Sequence, residues 1–140
     1  MKININFVDG PFIEILDNVD LSYKIDFVNR KNNKIEYSTT LRSNHWSKCS
    51  IKYHVDWEIR IVGIDNDYVG TYLMDLKEKR VLISYETKSL GDNIAFIPYV
   101  EEFRKQKNCH VVCSTFHNDL FKKDYPEIEF VEPGTNVDNI

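Results

Sequence analysis

The chain has 140 residues, 42% hydrophobic and 29% charged, which is enough apolar content for a buried core and too much for a disordered polymer. A formal net charge of −4, with acids and bases interleaved, argues against nucleic acid as the main partner, because phosphates select a clustered Lys/Arg footprint. No apolar stretch approaches the ~20 residues of a membrane span, and three cysteines, Cys49, Cys109 and Cys113, make an odd number; a cytoplasmic protein with reduced thiols is expected.

Residues 1–78 read as strand after strand. Ile3, Ile5 and Phe7 alternate with polar residues, and Asp9-Gly10-Pro11 turns the chain into Phe12, Ile13 and Ile15. Tyr23, Ile25 and Phe27 lead through a polar loop at 30–34 into Ile35, Tyr37, Thr39 and Leu41, a hairpin signature. Asn44, His45 and Trp46 fall in an expected loop, where Trp46 either contacts a sugar or closes the end of the β core. The clearest period-2 run is Ile51, Tyr53, Val55, Trp57, Ile59 and Ile61, with Lys52, His54, Asp56, Glu58 and Arg60 on the wet face. A last strand is expected from Val69 to Leu76. About six short strands of this kind predict a small antiparallel β-sandwich or barrel.

The texture changes at residue 79. Val81, Leu82 and Ile83 form a short apolar run without alternation, as in a parallel strand buried on both faces. A polar loop at 86–92, a helix from about Asn93 to Lys107, a strand from His110 to Ser114, a short helix over 117–123 and a strand from Ile128 to Glu132 follow. Arg104, Lys105 and Lys107 suit the negative end of the first helix. The pattern β-α-β-α-β over 79–140 predicts the first half of a Rossmann-like parallel α/β lobe, giving an α+β chain in two parts. The third strand would normally be covered by further elements, so the lobe is expected to be incomplete at Ile140.

The loop leaving the first parallel strand carries the candidate chemistry. Gly91 permits a tight turn and close backbone approach, and Asp92 stands where the helix is expected to begin. Asp92 reads either as a helix N-cap, accepting from the amides of Ile94 or Ala95, or as a general base at the crevice floor, and the two are compatible. Lys88 and Ser89 are candidates for a phosphate, against a plain solvated loop; Asn93 and Asn118 are further substrate-binding candidates, with Asn118 and Asp119 alternatively capping the second helix. Pro98 either lies in the first turn of a helix starting near Ala95 or kinks a longer one. Cys109 and Cys113, four apart on a strand and therefore ~13 Å apart, are too distant to share one metal and read as core thiols.

SLGDNIAFIPYVEEFRK, CHVVCSTFHNDLF and YPEIEFVEPG resemble the bacterial autotransporter protein O-heptosyltransferases, relatives of the lipopolysaccharide heptosyltransferases, with Gly91, Asp92 and Pro98 matching the Gly-Asp and following Pro of their first amino-terminal-lobe helix. The preceding YSTTLRSNHWSK and KYHVDWEIRI are similar to the amino-terminal domain of the same group. The resemblance implies a GT-B glycosyltransferase, an ADP-heptose-type nucleotide-sugar donor, an acceptor Ser or Thr hydroxyl on an autotransporter adhesin and Asp92 as base. It also implies that most donor-binding residues, and the cysteines associated with metal, lie in a carboxyl-terminal lobe beyond these residues. No cofactor or metal is expected within 1–140, an oligomer is possible, and these residues alone are expected to have little or no activity. The competing readings are a non-catalytic β-rich module recognising a protein or glycan on an α/β scaffold, and a related glycosyltransferase using a different sugar donor.

Overall fold

A computed structural model describes residues 1–51, 53–138 and 140. The chain divides into two compact units, Met1–Met74 and Asp75–Ile140.

The first unit is built from β1 (Lys2–Asn6), β2 (Phe12–Leu16), β3 (Ser22–Asn29), β4 (Lys34–Arg42), β5 (His45–Lys48), β6 (Trp57–Gly63) and β7 (Val69–Leu73). They form two antiparallel sheets, ordered β1-β2-β5 and β4-β3-β6-β7. Alternation decides which side chains go inward: Ile13 and Ile15 of β2 and Ile25, Phe27, Ile59 and Ile61 of β3 and β6 are all 0% exposed. The register Ile25↔Ile61 and Phe27↔Ile59 puts the last four on one face, each contributing about 1.5–3 kcal/mol by burial. A bulge between Phe27 and Val28 lets two consecutive residues turn inward. The β3–β4 turn follows from its asparagines, since Asn29 Oδ1 and Asn32 Oδ1 accept from the amides of Lys31 and Lys34 and Asn33 takes φ 56°.

Three expectations are corrected here. The alternating run 51–61 is a strand only from Trp57, because β3 ends at Asn29, opposite Trp57, and adds just one bond beyond it, from the Arg30 amide to Asp56 O at 2.9 Å. Residues before that have no β3 left to pair with; Val55 is still buried, Tyr53 is exposed, and Lys52 lies outside the described residues. Asn44-His45-Trp46 is not a loop: Asn44 turns the chain at φ 64°, and His45–Lys48 pairs with β2. The last strand stops at Leu73 instead of Leu76.

The second unit runs β8 (Arg80–Ser84), α1 (Leu90–Lys107), β9 (His110–Ser114), α2 (Asn118–Phe121) and β10 (Glu129–Val131). Its strands form a parallel sheet in the order β10-β9-β8. The strand buried on both faces is the central β9, whose last four residues are all buried. β8 sits at an edge, and its Leu82 is 40% exposed, contrary to the expectation from its unbroken apolar run. Ile97 and Val100 of α1 pack with Val111, Cys113, Phe121 and Ile128, and Phe96 and Phe103 lie against that cluster. Asn108 ends α1 in the left-handed region at φ 50°, its amide donating to the Arg104 and Lys105 carbonyls, with Arg104, Lys105 and Lys107 in the last turn. Because α1 begins at Leu90, Pro98 is well inside it and not in a first turn near Ala95. Among the described residues no helix is long and apolar enough to cross a membrane.

Candidate functional site at the carboxyl edge of the parallel sheet

Parallel strands send their carboxyl ends to the same edge, and there the segments 85–89, 115–117 and the residues after β10 converge. Side chains tie the first two together. The Tyr85 amide donates to Ser114 O at 2.9 Å and Ser114 Oγ to Glu86 Oε1 at 2.9 Å, while His117 Nε2 lies 3.1 Å from Lys88 O. Lys88 Nζ sits 5.7 Å from the centre of the Phe116 ring, within cation–π range. An open crevice of about 360 Å³ results, lined by Leu90, Phe116, His117, Asn118, Asp119, Leu120 and Glu132. Its lining holds two carboxylates and no lysine or arginine.

The candidate residues occupy different places around this edge. Ser89 is the N-cap of α1 without a side-chain cap bond, which displaces Asp92 from the N-cap position expected for it. Asp92 is instead an exposed carboxylate in the first turn of the helix. It does not line the crevice; Leu90 does, and at about 100° per residue Asp92 projects roughly 200° round the helix from Leu90. Gly91 is not a tight turn. It lies within the helix, its φ is not left-handed, and a Cβ there would meet nothing within 4 Å. Lys88 and Ser89 are exposed.

Asn93 turns inward. It is 0% exposed, and Nδ2 donates to Thr87 O at 3.0 Å and Ser89 O at 2.8 Å, fastening the loop to the helix start. Its Oδ1 is buried with no hydrogen-bond partner among the described residues. Asn118, 4% exposed, accepts from Thr115 Oγ1 at 2.7 Å, and that hydroxyl accepts from the His117 amide at 3.0 Å. Asn118 thus helps fix the turn into α2 while also reaching the crevice wall.

Sequence reasoning did not single out Glu86, Ser114, Thr115, Phe116 or Glu132. The available signal was the Ser-Thr pair ending the second parallel strand, since hydroxyls at a strand end organise the next turn. Cys109 and Cys113 are core residues, 5% and 0% exposed; burial raises the thiol of Cys109 and pushes that of Cys113 up to about 11. Among the described residues no group of three or more His, Cys, Asp or Glu is arranged to hold a metal ion.

No family model matches the chain. It is 31% identical over 112 residues to the autotransporter heptosyltransferase Aah of Escherichia coli, covering 77% of this chain and 28% of that protein. It is 36% identical over 67 residues to BimC of Burkholderia thailandensis, named as an inactive autotransporter heptosyltransferase, covering 46% of this chain and 16% of BimC. Among solved structures, the iron-containing dodecameric glycosyltransferase TibC of enterotoxigenic E. coli H10407 superposes with a TM-score of 0.76 at 25% identity, over 94% of this chain and 34% of TibC. A TibC structure in complex with ADP-D-β-D-heptose has a TM-score of 0.74 at 23% identity, over 96% of this chain and 35% of that one. In sequence and in fold, the chain is a relative of the autotransporter heptosyltransferases, spanning 28% of Aah and 34% of TibC.

Proposed function

We propose that these residues form part of an inverting GT-B heptosyltransferase, with a β-sandwich or barrel followed by a Rossmann-like lobe. The donor is an ADP-heptose-type nucleotide sugar and the acceptor a Ser or Thr hydroxyl of an autotransporter adhesin, modified in the cytoplasm. The observation that carries the reading is Asp92: an exposed carboxylate in the first turn of the helix that follows the first parallel strand, in a chain whose relatives are named heptosyltransferases.

Inverting transfer needs an acceptor oxygen aimed at the anomeric carbon and a base within about 2.6–3.2 Å of its proton. Asp92, exposed at the helix start, would take that proton as the new C–O bond forms and the nucleoside diphosphate leaves. The leaving group cannot be stabilised by the crevice, whose Asp119 and Glu132 repel a diphosphate; Lys88 and Ser89, on the loop ahead of α1, are better placed to approach it. Most of the diphosphate's partners therefore belong to the rest of the enzyme, and residues 1–140 alone are expected to give no turnover. Iron is a property of TibC. Cys109, just ahead of β9, and Cys113 within it are buried core thiols, and among the described residues no group is arranged to hold iron, so no step here uses one.

A second reading, a non-catalytic recognition module, is favoured by the relative named as inactive. Co-expressing the complete protein with an adhesin separates the two: a heptose mass increment on acceptor peptides is expected, and its absence supports the module. In the complete protein Asp92→Asn should lower the rate about 10²–10⁴-fold with an unchanged melting curve, whereas retained turnover removes Asp92 from the chemistry.

A further inference from the structure

Asn4, Glu14 and Trp46 stand in register across β1, β2 and β5, and Asn6, Phe12 and Lys48 form the next row. Ile13, between these rows along β2, and Ile15, on the far side of Glu14, are fully buried, so alternation turns both rows outward. Trp46 is 59% exposed, against 3% for Trp57; it lies on the sheet's outer face and does not close the core. Nor is it loose. Its ring stacks on Phe12, centroids 5.8 Å apart and planes 24° from parallel, which holds the indole upright on an edge strand. Beside it Asn4 Nδ2 donates to Glu14 Oε1 at 2.9 Å, so an amide and a carboxylate are held in place next to the aromatic plane.

The composition of this face selects its occupant. A purely apolar protein partner covering Trp46 would strip water from Glu14 and Asn4 without replacing its hydrogen bonds, a cost each such group makes large. A pyranose has the complementary division, a C–H face for the indole and a rim of hydroxyls for the carboxylate and amide. We propose that the outer face of the β1-β2-β5 sheet is a saccharide-binding platform, with Trp46 stacking on a pyranose ring and Glu14 and Asn4 bonding its hydroxyls.

The chain has two tryptophans, so ¹H–¹⁵N spectra of the full chain contain two indole N–H signals, assigned with Trp46→Phe. Titration with methyl α-D-glucopyranoside and methyl α-D-mannopyranoside, up to about 50 mM, should move the Trp46 signal saturably with a Kd on the order of millimolar and leave Trp57 in place. Trp46→Ala should weaken binding about 10-fold or more, Glu14→Ala should weaken it less, and Trp46→Tyr should retain it. Asp92→Asn should bind like the parent, so the platform and the transfer reading stand or fall separately. Non-saturating shifts for both sugars, equal movement of Trp57, or unaltered binding by Trp46→Ala would overturn the proposal. So would a Trp46 signal that moves with protein concentration before sugar is added, the mark of a second copy covering the face.

Discussion

Glycine at position 91 is not demanded by the backbone. The residue is helical, its φ is not left-handed, and a methyl group there meets nothing. Gly91→Ala should therefore stabilise the second unit by up to about 1 kcal/mol, read as a higher denaturant midpoint. If substrate approaches the helix start closely, the same change lowers transfer by the complete protein while raising its stability; unchanged turnover would show that the open space is not used. Cys113 gives a second prediction of this kind. The core tolerates only its neutral thiol, and burial pushes its pKa up to about 11, above the ~8.5 of an unfolded cysteine. Its contribution is complete below about pH 8.5 and is lost as pH rises toward 11, on the order of 3 kcal/mol. Urea midpoints taken up this range should fall, and Cys113→Ala should flatten the slope. Both residues were legible in the sequence as types. Cys113 was also legible as a core thiol, but the start of the helix around Gly91 was not: Ser89 holds the N-cap position that one reading gave to Asp92, and no local pattern distinguishes the two starts.

Periodicity was a good guide to which face of an element is wet and a poor guide to where the element ends. Strands β2, β3 and β6 bury the residues that their alternation marks, whereas 53–55 alternate outside any strand because the length of β3 sets the limit. His45–Lys48 is a strand for the opposite reason, since β2 offers it a partner that no property of Asn-His-Trp announces. In both cases the deciding interaction is remote in sequence. Helix α1 shows a third case, in which one residue works against the element that contains it. Pro98 lies inside the helix and exposed; its ring leaves the carbonyl of Ile94 without the usual donor and crowds the preceding turn. Pro98→Ala should restore that bond and stabilise α1 by about 1–3 kcal/mol, seen as slower hydrogen exchange from Tyr99 through the following turn. If exchange there does not slow, the turn is held by its packing through Ile97 and Val100 and not by its backbone bonds.

Each unit of the molecule has its own interior, and the groups whose pKa is pushed furthest differ between the two. In Met1–Met74, Tyr23, Ile25, Phe27, Ile59 and Ile61 are buried, with burial and the hydrogen bond to Tyr72 pushing the phenol of Tyr68 up to about 12. In Asp75–Ile140 the cluster around Val111 and Phe121 encloses Cys113. A raised phenol pKa, like a raised thiol, favours the fold below its unfolded value and is lost above it, but the unfolded values differ: ~10 for tyrosine and ~8.5 for cysteine. A polypeptide of residues 1–74 should therefore fold by itself, melt cooperatively, and hold a constant urea midpoint until about pH 10, falling only above it. Tryptophan emission follows this directly, because Trp57 is buried there and Trp46 exposed, so quenching by iodide should reach about half the emission before unfolding and all of it afterwards. A midpoint already falling near pH 9 would show that the first unit's stability rests on a group outside this account, and a non-cooperative melt would show that its β core is not sufficient to fold.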